Sequence, residues 1–330
     1  MLYFKSRLFR SLLTVGFLLV TLPLVAASSQ KRFLVTDFGA VGDATTLNTV
    51  KIQAAIDQIS SNGGGTLVVP KGVFMSGAIF LKASVNLHLD EGAVIKGSTD
   101  RKDYPKMLTR IEGQQIEWLP ALINADKADG LRITGSGTFD GNGVPFWEEF
   151  WTRRRANPAT TNLDVERPRL ALIQNSKDVK ISGITFKDSG FWNLHIYRCN
   201  GVVVENARFE VQDGLRAPSS DGIDIDSSQN VTIRRCIFRV DDDAIALKGT
   251  KGPFAMADKN SPPVENIRVI DCVFERGHGV LTLGSEGTII RNVVIERAKV
   301  LGPIVLMRLK LRPDTPQLYE NIHYRDITVN

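Results

Sequence analysis

The sequence predicts an all-β solenoid: a single-stranded, right-handed parallel β-helix with a short N-terminal capping helix. Three observations carry that prediction. The chain repeats itself from about residue 121 to its end, with a period of about 21 to 24 residues. Within each repeat, apolar and polar residues alternate with a period of two, not the 3.6 of a helix. Between the alternating runs lie short turns rich in Asn, Ser, Asp and Gly.

The repeats read "ALIQNSKDVKISGITFKDSG", "LHIYRCNGVVVENARFEVQDG" and "IDIDSSQNVTIRRCIFRVDDD". After these come longer copies that start at "IALKGT", "LTLGSEGTII" and "MRLKLR". Each is expected to hold one alternating strand, a polar turn and a second alternating strand. A leucine-rich repeat is the competing solenoid, but its LxxLxL spacing and Asn ladder are missing. Coils of a β-helix stack about 4.8 Å apart, so matched positions form columns. Alignment puts Ile184, Ala207, Cys236, Cys272, Ala298 and Ile327 in one column, all small or apolar as an inward ladder requires.

Upstream of the repeats, "TLNTVKIQAAIDQISSNGGG" predicts a helix with Val50, Ala54, Ile56 and Ile59 on its apolar face, ending in glycines. Such a helix suits the open first coil of a solenoid. The strands begin in "GTLVVPKGVFMSGAIFLKASVNLHLDEGAVIKGS". No linker is evident, so residues 28–330 are expected to form one domain. The last residues, "DITVN", end on a strand, which leaves the expected C-terminal coils either truncated or covered by something else.

Residues 1–27 stand apart. Lys5, Arg7 and Arg10 precede the apolar run 12–26, and Val25 and Ala27 suit a signal-peptidase site. The chain is therefore expected to be secreted or periplasmic, with no membrane attachment once the leader is removed. Loss of those three cations leaves +2 of the formal +5 charge, which speaks against a general nucleic-acid-binding surface. Three cysteines, Cys199, Cys236 and Cys272, form neither a disulfide framework nor a zinc spacing; buried free thiols are expected.

The acidic run in "VDDDAIALKG" (240–249) takes its meaning from the register. "SSDGIDIDSS" (219–228) lies one coil earlier, so Asp221 stacks with Asp243 and Ser220 with Asp242. One coil later, "GHGVLTLGS" (277–285) places His278 in the column of Asp242, and "MRLKLR" (307–312) brings Arg308 and Lys310 to the same face. A single Asp run is commonly a turn, but stacked like charges are destabilising unless they act on or bind something. Glycoside hydrolysis uses one protonated and one ionised carboxyl. In inverting enzymes they stand about 6.5–9.5 Å apart, and crowding can hold one of them protonated. His195, in "FWNLHIY", falls in the column of Asp224 and is a candidate groove residue. The insertion at 141–168 carries Trp147, Trp151 and Arg153–Arg155, as a sugar-stacking lid or a helix packed on the solenoid.

These motifs resemble those of the glycoside hydrolase family 28 polygalacturonases. The family order N-T-D, G-D-D, G-H-G, R-I-K is matched by Ser219-Ser220-Asp221, Asp241-Asp242-Asp243, Gly277-His278-Gly279 and Arg308-Leu309-Lys310, about one coil apart. The resemblance spans residues 33–330, including "DFGAVGD" and "RPRLALIQN". It implies a right-handed parallel β-helix that cleaves α-1,4-galacturonosyl bonds of pectin or polygalacturonate with inversion. It implies Asp242 as general acid, Asp221 and Asp243 as the carboxylates that activate water, and His278 as their support. Arg308 and Lys310 would bind the substrate carboxylate. No metal or cofactor is expected, and the chain is expected to act as a monomer on a pectic polymer or oligogalacturonide. The sequence departs from the family at Ser219-Ser220, Asp241 and Ala244, which puts the exact polymer in question; the retained His278 favours polygalacturonate over rhamnogalacturonan. Open alternatives are a hydrolase of rhamnogalacturonan or xylogalacturonan, and a non-catalytic glycan-binding β-helix whose Asp ladders hold calcium.

Overall fold

The computed structural model describes Met1 and residues 31–330; the leader expected over residues 1–27 otherwise lies outside the described residues. The chain winds into the parallel β-helix that the repeat predicts, right-handed as expected. Three parallel sheets, of ten, eight and ten strands, run the length of the coil stack. Each full coil contributes one strand to each sheet. One coil, for example, runs Leu194–Tyr197, Asn200–Glu205 and Arg208–Glu210; the next runs Ile223–Asp226, Gln229–Arg234 and Ile237–Arg239.

The coil thus has three strands where the sequence suggested two, because the second alternating run bends. The bend falls at Asn206, Arg235, Asp271, Arg297 and Asp326, each with φ between 52° and 55°. An L-residue in this left-handed region is uncommon, so its recurrence at one column marks a turn that every coil must make. The residue after each bend is the small or apolar one picked out by alignment. Ala207, Cys236, Cys272 and Ala298 are buried, and the carbonyl of each of Ile184, Ala207, Cys236, Cys272 and Ala298 accepts a backbone amide from the next coil. All three cysteines are free and buried.

A second left-handed column, Asn230, Asn266, Asn292 and Asn321, forms an asparagine ladder that continues to Asn200 in the coil before. Asn230 Nδ2 donates to Asn200 Oδ1 at 2.8 Å, Asn266 to Asn230 at 3.0 Å, and Asn321 to Asn292 at 3.1 Å. The ladder was hidden because these residues are separated by unequal loops. Inside the coils, Phe186, Phe209, Phe238 and Phe274 stack at successive centroid distances of 4.8, 5.0 and 5.0 Å.

Helix α1, Thr49–Ser61, forms where expected but presents a different face. Ile52, Ala55, Ile56 and Ile59 are buried, whereas Val50 is 81% exposed and Ala54 is exposed. The helix packs on strands Gly65–Val69, Ile79–Leu81 and Val85–Leu89. The i, i+3, i+4, i+7 spacing of the buried set is that of one helical stripe. Helix α2, Val144–Ala156, occupies the insertion, and an antiparallel hairpin, Met107–Ile111 with Gln114–Trp118, folds beside the eight-stranded sheet. No helix among the described residues is long and apolar enough to cross a membrane.

Candidate active site

The eight-stranded sheet carries the acidic cluster at the N-terminal ends of its strands. In this sheet Ile223 pairs with Ile245 and Ile245 with Leu281. Counting back along each strand therefore sets Asp221 beside Asp243, and Ser220, Asp242 and His278 in one column. Backbone hydrogen bonds fix that register: Gly222 N donates to Asp243 O at 2.9 Å, and His278 N to Asp242 O at 2.8 Å. Thr282 pairs with Arg308 and Gly284 with Lys310, so both cations lie on the outer face of the last coil.

The side chains then converge. His278 Nδ1 lies 3.0 Å from Asp242 Oδ1. Asp243 has no accessible surface, and it accepts from Arg308 Nη1 at 2.6 Å and from Lys310 Nζ at 2.5 Å. Arg308 reaches it across Gly279, where a Cβ would stand 2.9 Å from Arg308 Cδ; only glycine leaves that path open. Asp221 is 3% exposed, while a quarter of the Asp242 side chain and half of the His278 side chain face solvent. One oxygen each of Asp242 and Asp243 and one nitrogen of His278 lie within 4.8 Å of one another. That is closer than the separation expected for an inverting pair.

Electrostatics divide the carboxyls, though not as crowding alone suggests. Burial pushes Asp221 well above the usual carboxylate range, with help from Asp224 and Asp242. Burial also pushes Asp224 up to about 8 despite Lys248. For Asp242 burial again acts upward, but the His278 hydrogen bond and the Lys310 charge outweigh it and leave the group below its ordinary value. The same hydrogen bond raises His278. In the free site the proton of the Asp242–His278 pair therefore rests mainly on the imidazole.

The departures from the expected motif have local reasons. Asp241 ion-pairs with Arg276 at 2.9 Å and accepts from Ala217 N at 2.9 Å, holding the loop before the site. Ser220 Oγ accepts from Asp241 N and donates to Ala217 O. Ser219 Oγ accepts from Arg167 at 3.3 Å, and Ala244 is fully buried.

His195 does share the column of Asp224, but it has no accessible surface, so the expected direct contact with substrate is not what its packing provides. Its Nδ1 meets Arg169 Nη1 at 2.7 Å, and its Nε2 lies 3.4 Å from Asp226 Oδ2. Burial brings its pKa down to about 4, which keeps it neutral. It belongs to a buried charge layer beneath the groove that sequence reading missed. Arg110, from the hairpin, donates to Asp226 at 2.9 Å. Lys248 lies 3.5 Å from Asp224, 3.7 Å from Glu286 and 4.7 Å from the Trp192 ring centre. In sequence, Asp224 and Asp226 alternate with isoleucines and look like the solvated face of a strand. Their partners are scattered: Arg110 lies 116 positions upstream of Asp226, His195 comes from the coil before, and Lys248 reaches Asp224 from the coil after.

In helix α2, Trp147 is buried and donates to Ser189 O, so it is a packing residue. Trp151 stays partly exposed beside Arg216.

The chain belongs to glycosyl hydrolases family 28, whose model matches residues 60–330. It is 30% identical over 259 residues to a probable polygalacturonase of Vitis vinifera, covering 76% of this chain and 50% of that protein. It is 27% identical to an exo-poly-alpha-D-galacturonosidase of Dickeya chrysanthemi, covering 89% of this chain and 54% of that protein. The chain thus spans about half the length of these curated relatives. The fold is shared with a hyperthermoactive exopolygalacturonase from Thermotoga maritima, with a TM-score of 0.71 and 24% identity over 91% of this chain and 81% of that one.

Proposed function

We propose that this chain is the catalytic β-helix of an exported, polygalacturonase-type hydrolase that cleaves α-1,4-galacturonosyl bonds with inversion. The observation that carries the proposal is the division of three carboxyls by access. Asp242 reaches the groove with His278 beside it, while Asp221 and Asp243 lie behind it, buried. A proton donor must touch the leaving oxygen, so Asp242 is the general acid, and the proton it shares with His278 is the one delivered. The raised carboxyl of Asp221 and the carboxyl of Asp243 beside it hold the attacking water.

Arg308 and Lys310 link this chemistry to the substrate. Both spend a hydrogen bond on Asp243 in the free site. A galacturonate carboxylate competes for the same donors, and as they turn toward it the Asp243 oxygens are freed. Binding an acidic sugar would thereby leave Asp243 free to accept from the attacking water. The short Asp242–Asp243 spacing speaks for a direct comparison of product anomers. Proton NMR of the first-formed reducing end should show inversion; a retained anomer would require a covalent intermediate instead.

The experiment that tests the function is hydrolysis of polygalacturonate, with xylogalacturonan and rhamnogalacturonan alongside. Preferred cleavage of polygalacturonate supports the proposal. Preferred cleavage of either of the others transfers the same machinery to that polymer.

A further inference from the structure

The outer face of the eight-stranded sheet is the floor of the groove, and along the earlier coils that floor is covered. One column of the face holds Leu172, His195 and Asp224; the next holds Tyr197, Asp226 and Lys248. All six are at most 5% exposed. The same columns run on to Arg308 and Lys310, where about a third of each side chain is open. The groove is therefore closed on one side of Asp242 and accessible on the other.

The cover is the hairpin of Met107–Ile111 and Gln114–Trp118. Arg110 pins it to the floor, donating to Asp226 at 2.9 Å and to Thr250 Oγ1 at 3.1 Å, with its guanidinium carbon 5.0 Å from the Tyr197 ring centre. Arg169, itself buried, donates to Thr109 Oγ1 and to Arg110 O, both at 2.7 Å. Trp118 Nε1 donates to Arg167 O at 3.1 Å. The hairpin tip closes the remaining gap. A Cβ on Gly113 would stand 2.7 Å from Glu286 Cγ, so the tip lies hard against the loop after strand Gly279–Gly284. Glu112 accepts from Asn162 Nδ2 at 3.2 Å, which joins the hairpin to the segment that follows α2.

A groove that cuts a polymer internally must let the chain enter on one side of the acid and leave on the other. Here the way past is filled by protein held through a buried ion pair, which is costly to break. What remains is a cavity of about 380 Å³ that runs from Asp242 and His278 back to Asn162. This is the small end of the range for ligand sites, room for a mono- or disaccharide but not for a polymer passing through. The geometry points to cleavage from a chain end: the hairpin, latched to Asn162, admits only the terminus of a pectic polymer, and each cut releases a mono- or disaccharide. The inference rests on the proposed hydrolase reading, because it says where along the substrate that reaction falls.

Binding tests it without turnover. The full chain carrying Asp242→Asn, which leaves the ligand intact, is titrated by calorimetry with polygalacturonate fractions of known, increasing length. One protein should bind per polymer chain whatever its length, since only a terminus fits. A number that rises with length would overturn the inference. Early products of the unsubstituted chain should be mono- or disaccharides, with the viscosity of the polymer preserved. Products of many lengths and a rapid fall in viscosity would equally overturn it. Replacing the tip, residues 111–114, by a two-residue turn should let the bound number rise with length and should lengthen the products. A folded tip variant that still binds one per chain would remove the hairpin as the cause; if the variant does not fold, the stoichiometry of the intact hairpin decides. The two readings fail separately. Hydrolysis at internal bonds sinks the chain-end reading and leaves the hydrolase standing. One protein per chain with no hydrolysis sinks the hydrolase and leaves the closed groove standing.

Discussion

Nδ1 of His278 stands 3.0 Å from Oδ1 of Asp242, one coil away in the same column. This contact makes the two groups a single proton-holding unit. It lowers the carboxyl, raises the imidazole, and leaves both partly open to the groove.

The first expectation concerns pH. His278 is raised above its ordinary 6.5, so its pairing stabilises the folded site fully below that value and is lost as pH rises through the folded value. Asp242 is lowered, so its contribution is present above 3.8 and is lost as pH falls through its folded value. Proton NMR of the four histidines should show one titrating above 6.5, absent in His278→Gln. His195 should titrate near 4, because protonation inside its buried setting is disfavoured. A His278 that titrates below 6.5 would contradict the pairing.

The buried ion pair of Arg110 and Asp226 should matter for stability. Both side chains are at most 5% exposed and 2.9 Å apart. Burial raises Asp226, but Arg110 and His195 outweigh it and hold the group well below the usual carboxylate range. Asp226→Asn strands a buried guanidinium and should cost about 3–5 kcal/mol, read as a shift in denaturant midpoint. A cost within the error of a surface substitution would mean that the hairpin does not clamp the groove floor.

The aromatic stack gives a second stability test. Phe209 lies between Phe186 and Phe238, at 4.8 and 5.0 Å, with no accessible surface. Phe209→Ala should cost about 3–5 kcal/mol, whereas Val50→Ala on the exposed face of α1 should cost little. Equal effects would contradict the helix orientation described here.

Much of this was legible in the sequence because a β-helix translates repeats directly into columns. The period-two alternation identifies the coil, and the same alignment sets Asp221, Asp242, Asp243 and His278 in register. The bend at Asn206 and Arg235 was less legible, since a left-handed residue leaves the alternation on either side intact. The face of α1 was misjudged because thirteen residues offer several apolar stripes, and only the packing partners choose among them. The charge layer of Arg110, Arg169, His195, Asp226 and Lys248 was hidden for a different reason. Its partners come from separate coils and a hairpin, and no repeat relates them.

The access of Asp242 to the groove is tested most directly by its removal. Asp242→Asn keeps the shape of the side chain while removing the carboxyl that passes on the proton shared with His278. The purified chain and this variant would be assayed on polygalacturonate in EDTA, following reducing ends and the ultraviolet absorbance of unsaturated products. New reducing ends without that absorbance, lowered about 10²–10⁴-fold in the variant, are the expected result. Reducing ends that persist at the parent rate in Asp242→Asn would contradict its role as the acid, and unsaturated products would contradict hydrolysis itself.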